Sequence, residues 1–137
     1  DGITFHIEAA KEPGLVIDLI RSTNKQIGIS LKPQTPFSMI EPFLDQIDLL
    51  LIMSVEPGFG GQKYIPSSTK KIKDIHQRLI EFGLRDRILI EIDGGIKLTN
   101  AEEIAKAGAE ILVAGSEIFQ SENPVQTIQK FKALGVT

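Results

Sequence analysis

No cysteine occurs anywhere in the sequence, which excludes disulfides and thiolate-bound zinc or iron–sulfur clusters within it. Long apolar runs are missing too. Nothing approaches the roughly 18 residues of a membrane span, and no signal peptide opens the chain, so no membrane partner is expected. Charge of one sign is also lacking: 15 Lys and Arg against 18 Asp and Glu leave a net charge of −3. A phosphate backbone demands a concentrated basic face, so nucleic acid is excluded as the main partner. The one basic cluster, Lys70, Lys71 and Lys73, lies on a predicted helix and reads as a solvated face. Two familiar nucleotide signatures are absent as well. The glycine spacing is not that of a Rossmann fingerprint, and no Gly-Lys-Ser/Thr of a P-loop occurs.

What remains is the composition of an ordinary globular protein, 42% apolar and 24% charged in 137 residues, one domain's worth of chain or less. A cytoplasmic location is the expectation. The chain starts at Asp1-Gly2 without a methionine and enters a strand almost at once, so it is expected to be a piece of a longer protein.

Glycine is where the sequence becomes specific. Three glycine-bearing loops each follow a hydrophobic strand-like segment: Pro57-Gly58-Phe59-Gly60-Gly61-Gln62, Asp93-Gly94-Gly95, and Ala114-Gly115-Ser116. Glycine turns the backbone with φ > 0 and bares N–H groups to an anion with no Cβ in the way. At the ends of neighbouring parallel strands, three such loops make a phosphate cradle beside one acid–base group.

Along the chain, Ile3 to Glu8 alternates apolar and polar, a strand signal. Leu15 to Ser22 has helical spacing after Pro13-Gly14, and Ile27 to Leu31 is a short β-branched strand stopped by Pro33 and Pro36. Ser38 is the expected cap of a short helix carrying Met39, Ile40, Phe43 and Leu44, with Glu41 completing a capping box. Asp48 to Val55 is almost continuously apolar, as for a strand covered on both faces. A helix follows, capped by Ser67 or Ser68, with Ile72, Ile75, Leu79 and Ile80 on one face. Arg87 to Asp93 is a strand. Thr99 or Asn100 caps the helix Ala101 to Ala107, and Gly108 ends it. Ile111 to Ala114 is the last strand, and Pro124 opens a closing helix through Leu134.

Strict β-α alternation over five units implies a parallel sheet with right-handed crossovers. Functional loops then gather at the C-terminal ends of the strands, where all three glycine loops sit. Five units fit either an open sheet of the flavodoxin type or part of an eight-stranded barrel. The strand faces favour the barrel. Thr4, His6 and Glu8 share one face of their strand, Gly28, Ser30 and Lys32 one face of the next, and Leu89, Glu91 and Asp93 a third. Such mixed faces suit a lumen with a polar upper end better than a sheet buried on both sides.

Asp93 leads the candidate catalytic residues. It ends its strand on the inner face, where a carboxylate can take a proton from a carbon next to a carbonyl, or bind a metal; read alone, it also fits a turn or N-cap role. Gly58, Gly60 and Gly61 follow a buried strand and precede a helix, the setting of a phosphate-binding nest, though a tight turn without a ligand has the same pattern. Gly115 and Ser116 complete the cradle. Met53 ends its strand on the inner side, either to shield a reactive intermediate or to fill the core. Glu8, Lys32 and Glu91 read as a charge-balanced lumen cluster that packs. His6 reads as structural, and His76 as exposed on a polar helix.

With these residues in place, the chain resembles the ribulose-phosphate 3-epimerase family. The resemblance rests on Ile3-Thr-Phe-His-Ile-Glu8, Leu31-Lys-Pro-Gln-Thr-Pro36 and Met53-Ser-Val-Glu-Pro-Gly-Phe-Gly-Gly-Gln-Lys63. It continues through Ile90-Glu-Ile-Asp-Gly-Gly-Ile96, Ala107-Gly-Ala109, Val113-Ala-Gly-Ser116 and Ile118-Phe119. Lys32 and Glu56 stand where many bacterial members carry asparagine. The resemblance implies a (β/α)8 barrel of which residues 1–137 form the C-terminal part, strands four to eight. It implies interconversion of D-ribulose 5-phosphate and D-xylulose 5-phosphate by two acids on opposite faces of a planar enediolate, aided by zinc or iron. Asp93 matches one acid and a metal ligand. Gly58, Phe59, Gly60, Gly61, Gly94, Gly95, Gly115 and Ser116 match the phosphate and substrate loops, and Met53 a methionine beside the intermediate. The other aspartate, two metal-binding histidines and a serine would belong to strands upstream of Asp1, leaving this piece inactive alone. The implied partner is a small phosphorylated sugar, with self-association open. A six-carbon ketose phosphate as substrate, or a non-catalytic phosphate-binding half-barrel, are the alternatives.

Overall fold

The computed structural model describes residues 1–135. Five strands form one sheet: β1 (Gly2–His6), β2 (Gln26–Leu31), β3 (Leu49–Met53), β4 (Leu89–Asp93) and β5 (Ile111–Val113). Every pairing is parallel, and the order across the sheet is the order along the chain. The connecting helices are α1 (Pro13–Arg21), α2 (Ser67–Glu81), α3 (Leu98–Ala107), α4 (Gly115–Phe119) and α5 (Pro124–Ala133). None of the described helices is long and apolar enough to cross a membrane.

That order decides between the two architectures. In a doubly wound open sheet the strand order reverses once, which sends helices to both faces. Here each right-handed crossover steps the same way, so all helices lie on one side and the sheet curls as an arc of a (β/α) barrel. Burial agrees. Ile27, Ile29 and Leu31 of β2, Leu50 and Ile52 of β3, and Ile90 and Ile92 of β4 are buried under the helices. The opposite parity forms the inner face. Register aligns Thr4 with Gly28 and His6 with Ser30, then Leu51 with Glu91, and Met53 with Asp93 and Val113.

β3 is therefore not covered on both faces as its apolar run suggests. Leu50 and Ile52 are fully buried, whereas Leu49 and Leu51 on the inner face are half-buried. The segment after β2 also differs. Two 3-10 turns, Phe37–Met39 and Glu41–Gln46, replace the expected capped helix; Ser38 lies inside the first, and no side chain caps either. In α2, Ile72, Ile75 and Leu79 enter the core but Ile80 is exposed, and Pro66 rather than a serine holds the N-cap. In α3 the capping residue is Lys97, with Asn100 at the third position accepting the Lys97 N–H at 2.8 Å. Gly108 ends that helix at φ 126°, and an added Cβ would strike His76. His76 is thus half-buried against Gly108 and accepts a 2.7 Å bond from Arg85 Nε, not free on a polar face.

Nor are the three clustered lysines alike. Lys70 pairs with Asp74 on the surface, while Lys71 Nζ donates to the carbonyls of Lys32, Pro33 and Thr35 at 3.0, 3.1 and 2.6 Å. It staples the segment after β2 to the helix layer.

The two sides of β4 should respond differently to truncation. Ile90→Ala is expected to cost about 3 kcal/mol in urea unfolding, and Leu89→Ala, on the open face, less than about 1 kcal/mol.

Candidate active site

Asp93 is carried to the rim of the inner face by the period-two alternation of β4, two residues above Glu91. It is half-buried, between Met53 of β3 and Val113 of β5. Burial pushes its carboxyl above the ordinary range. Burial and then the neighbouring Asp93 charge raise Glu91 as well. A carboxylate so tuned is a better proton acceptor than one in water.

The turn that follows has room for glycine alone. Gly94 and Gly95 sit at φ 127° and 66°. A Cβ on Gly94 would lie 2.5 Å from Val55 Cγ2, and one on Gly95 would overlap the backbone nitrogen of Tyr64. Ser54, fully buried at the end of β3, locks this turn. Its N–H donates to the Asp93 carbonyl at 2.9 Å, and its hydroxyl donates to the Gly94 carbonyl at 2.6 Å and the Asp93 carbonyl at 3.0 Å. Asn100 Nδ2 holds the Gly95 carbonyl at 3.1 Å. Neither Ser54 nor Asn100 stood out as a site residue in the sequence; a polar residue near the end of the apolar run Asp48 to Val55 was the signal for the first.

The loop after β3 is pinned from within. Gln62 Nε2 donates to the carbonyls of Glu56 and Phe59 at 2.6 and 3.1 Å. Gly58 and Gly61 have φ of 138° and 77° but open space where a Cβ would go, so their backbone angle, not crowding, selects glycine. Phe59 stands out into solvent. After β5, Gly115 and Ser116 begin α4, and Glu117 accepts the Leu98 N–H at 3.1 Å, tying this loop to the start of α3. Among the described residues, the N–H groups of Gly58, Gly60, Gly61, Gly94, Gly95, Gly115 and Ser116 have no protein acceptor, while Phe59 closes the turn at Pro57-Gly58.

All these loops border one cavity of about 550 Å³, together with Met53, Asp93 and His6. The structure thus brings together every candidate site residue read from the sequence. It does not assemble the proposed charge cluster: the Lys32 side chain is exposed, Glu91 faces Asp93, and Glu8 binds the Lys32 backbone N–H at 2.6 Å instead. Nor does it gather a metal site. Among the described residues no three His, Asp or Glu side chains come close enough to hold an ion, so Asp93 by itself does not fit one.

Comparison with known proteins agrees with this geometry. The model of the ribulose-phosphate 3 epimerase family matches residues 1–119. The ribulose-phosphate 3-epimerase of Escherichia coli strain K12 is 39% identical over 131 residues, 96% of this chain and 57% of its own. That of Buchnera aphidicola subsp. Baizongia pistaciae is 45% identical over 130 residues, 95% and 56% of the two chains. The chloroplastic ribulose-5-phosphate-3-epimerase of Arabidopsis thaliana is 44% identical over 135 residues, 97% and 47%. The chain spans about half the length of the curated relatives it matches. Among solved structures, a ligand-bound form of KGPDC from Streptococcus mutans superposes with a TM-score of 0.66 at 19% identity, covering 98% of this chain and 61% of that one. The 3-hexulose-6-phosphate synthase of Salmonella typhimurium gives 0.65 at 15%, again covering 98% and 61%. At those identities the likeness is one of fold.

Two stability measurements check the site. Because the Asp93 pKa is raised on folding, the folded state binds the proton more tightly than the unfolded. Stability then falls as pH rises from the ordinary carboxylate value through the raised one. Asp93→Asn is therefore expected to raise Tm at pH 7 by roughly 2 °C, a small gain because solvent screens the group, and to lose that gain below about pH 4. Ser54→Ala takes the hydroxyl donor from the buried Gly94 carbonyl, the Asp93 carbonyl keeping the Ser54 N–H, and should cost about 1–2 kcal/mol in urea unfolding.

Proposed function

The chain belongs to the ribulose-phosphate 3-epimerase family, and on that footing we propose that its cavity binds a ketose phosphate and moves the proton on C3, between D-ribulose 5-phosphate and D-xylulose 5-phosphate. One observation carries this: three glycine loops with free N–H groups and one inner-face carboxylate meet at the C-terminal ends of β3, β4 and β5. The loops take the phosphate. Their N–H groups supply an oriented positive field without a cation, and the positive φ angles at Gly58, Gly61, Gly94 and Gly95 keep them bared.

Phosphate bound there leaves the sugar to extend along the inner face past Met53 and Asp93. Ionised Asp93 takes the proton from C3, next to the C2 carbonyl, and an enediolate results. The raised pKa favours this step, since a more basic carboxylate accepts a carbon-bound proton more readily. Buried Met53 beside it keeps water from that face. Inversion requires a second acid on the opposite side, whereas Asp93 is the one carboxylate lining the cavity among the described residues. The family works with a divalent metal, which stabilises negative charge on enediolate oxygens when bound; Asp93 would supply one of its ligands, and among the described residues no others gather beside it. On this reading the second acid and the remaining metal donors come from βα units beyond this arc, residues 1–137 being the C-terminal part of one barrel.

The test is an amide titration of the 137-residue chain with D-ribulose 5-phosphate, followed by solvent-deuterium exchange at C3. Shifts centred on Gly58–Gly61, Gly94, Gly95 and Ser116 are expected. Exchange is expected once the chain is joined to the part of the Escherichia coli relative it does not cover, rising with pH as Asp93 ionises and falling ~10²-fold or more in Asp93→Asn. Binding without exchange in the joined protein would favour a phosphate-binding module, and exchange confined to a six-carbon ketose phosphate would move the substrate class.

A further inference from the structure

One polar group on the inner face is left unused by this chemistry. His6 and Ser30 are direct neighbours on β1 and β2, and Glu8 follows just beyond the end of the strand ladder. His6 Nδ1, Glu8 Oε2 and Ser30 Oγ are all buried with no hydrogen-bond partner, Ser30 being only 1% exposed. Such groups are costly unless something satisfies them. Nδ1 of His6 lies 3.8 Å from Glu8 Oε2, close enough for a small shift or one water to join them.

Glu8 is held firmly for this task. Its other oxygen, Oε1, accepts the Lys32 N–H at 2.6 Å. Burial pushes the carboxyl up, but hydrogen bonds from Thr35 and from the backbone outweigh it, so the group stays below the ordinary carboxylate range and ionised. The segment that supplies those bonds is the one Lys71 staples through the carbonyls of Lys32, Pro33 and Thr35. An ionised carboxylate facing Nδ1 selects the tautomer with the proton on Nδ1. The side chain of His6 is nonetheless 38% exposed, and it lines the same cavity as the glycine loops. With Nδ1 buried, the open part of the ring is the side that carries Nε2.

We propose that His6 is a specificity-determining residue: Glu8 and Ser30 orient its ring so that Nε2 accepts a hydrogen bond from a hydroxyl at the end of the sugar remote from the phosphate. The placement suits this. The cradle lies at β3 to β5 and His6 at β1, across the inner face, so a ligand anchored by its phosphate and running past Asp93 points its far hydroxyls toward β1. This rests on the reading of the cavity as a ketose phosphate site. It adds that the chain reads the hydroxyl end as well as the phosphate end.

The test compares two probes, D-ribulose 5-phosphate and inorganic phosphate, titrated against the 137-residue chain and three variants. Thermal unfolding of each variant confirms that it is folded. His6→Phe keeps the ring volume but loses both nitrogens, and is expected to weaken ribulose 5-phosphate about fivefold to tenfold with inorganic phosphate unchanged. His6→Gln, whose amide reaches the place of Nε2, is expected to recover part of that loss. Glu8→Gln should move the His6 proton from Nδ1 toward Nε2, read directly from the ring ¹⁵N shifts, and should weaken ribulose 5-phosphate but not inorganic phosphate, a split that a merely structural histidine would not give. Equal binding of the sugar phosphate by wild type and His6→Phe would overturn the proposal while leaving the cavity assignment intact. A wild-type chain that binds neither probe would overturn both. An Nε2–H tautomer in the wild-type chain would overturn the role given to Glu8.

Discussion

The one-way order of the strands is the constraint on which the rest of this molecule depends. Because each crossover advances the sheet by one strand in the same direction, none of the described helices covers the inner face. That face is free to carry His6, Ser30, Glu91 and Asp93, which a sheet covered on both sides would exclude by their cost of burial. The core is built on the other side, where Ile29, Leu50, Ile52, Ile90 and Ile92 interlock with Ile72, Ile75, Leu79 and Ile104 from the helices. Stability and chemistry thus occupy opposite parities of the same strands.

Precision at the rim comes from polar side chains that hold backbone. Ser54 joins β3 to the turn after β4, Asn100 joins that turn to α3, and Glu117 joins the loop after β5 to the same helix. Gln62 closes the longer glycine loop upon itself. Each bond is modest, on the order of 1 kcal/mol. Together they fix where unpaired N–H groups point, which is the quantity an anion-binding site depends on. On the far side Lys71 does the same for the segment after β2, and through it Glu8 is kept in place.

The acids are arranged against stability. Glu91 and Asp93 face one another on a half-buried surface, each raised by burial. A chain selected for stability alone would place an amide or an aliphatic residue at either position. Keeping a poorly solvated carboxylate at the mouth of a glycine-lined cavity makes physical sense where that carboxylate must take up a proton.

Much of this was legible in the residues. Period-two alternation marked the inner and outer faces of β1, β2 and β4, and glycines directly after strands marked the site loops, because both patterns are local consequences of backbone geometry. The alternation of strands and helices set the fold class, and Asp93, Met53 and the glycines were found where they were expected. Other features depend on what lies across the sheet. Lys70 and Lys71 are chemically identical neighbours, yet one is solvated and the other ties down three carbonyls, since only α2 packed beside the end of β2 brings acceptors to it. The 3-10 turns at Phe37–Met39 and Glu41–Gln46 took the place of a helix because that segment is short and held by its neighbours rather than by its own propensity. Ser54 acquires its role from a partner 40 residues away, Glu8 from one 24 residues away, and His6 from an adjacent strand. The sequence by itself determined the strands, their faces and the backbone freedom of the loops; only the tertiary structure decided which polar groups meet, because hydrogen bonds between distant segments exist only once the sheet has brought them within about 3 Å of each other.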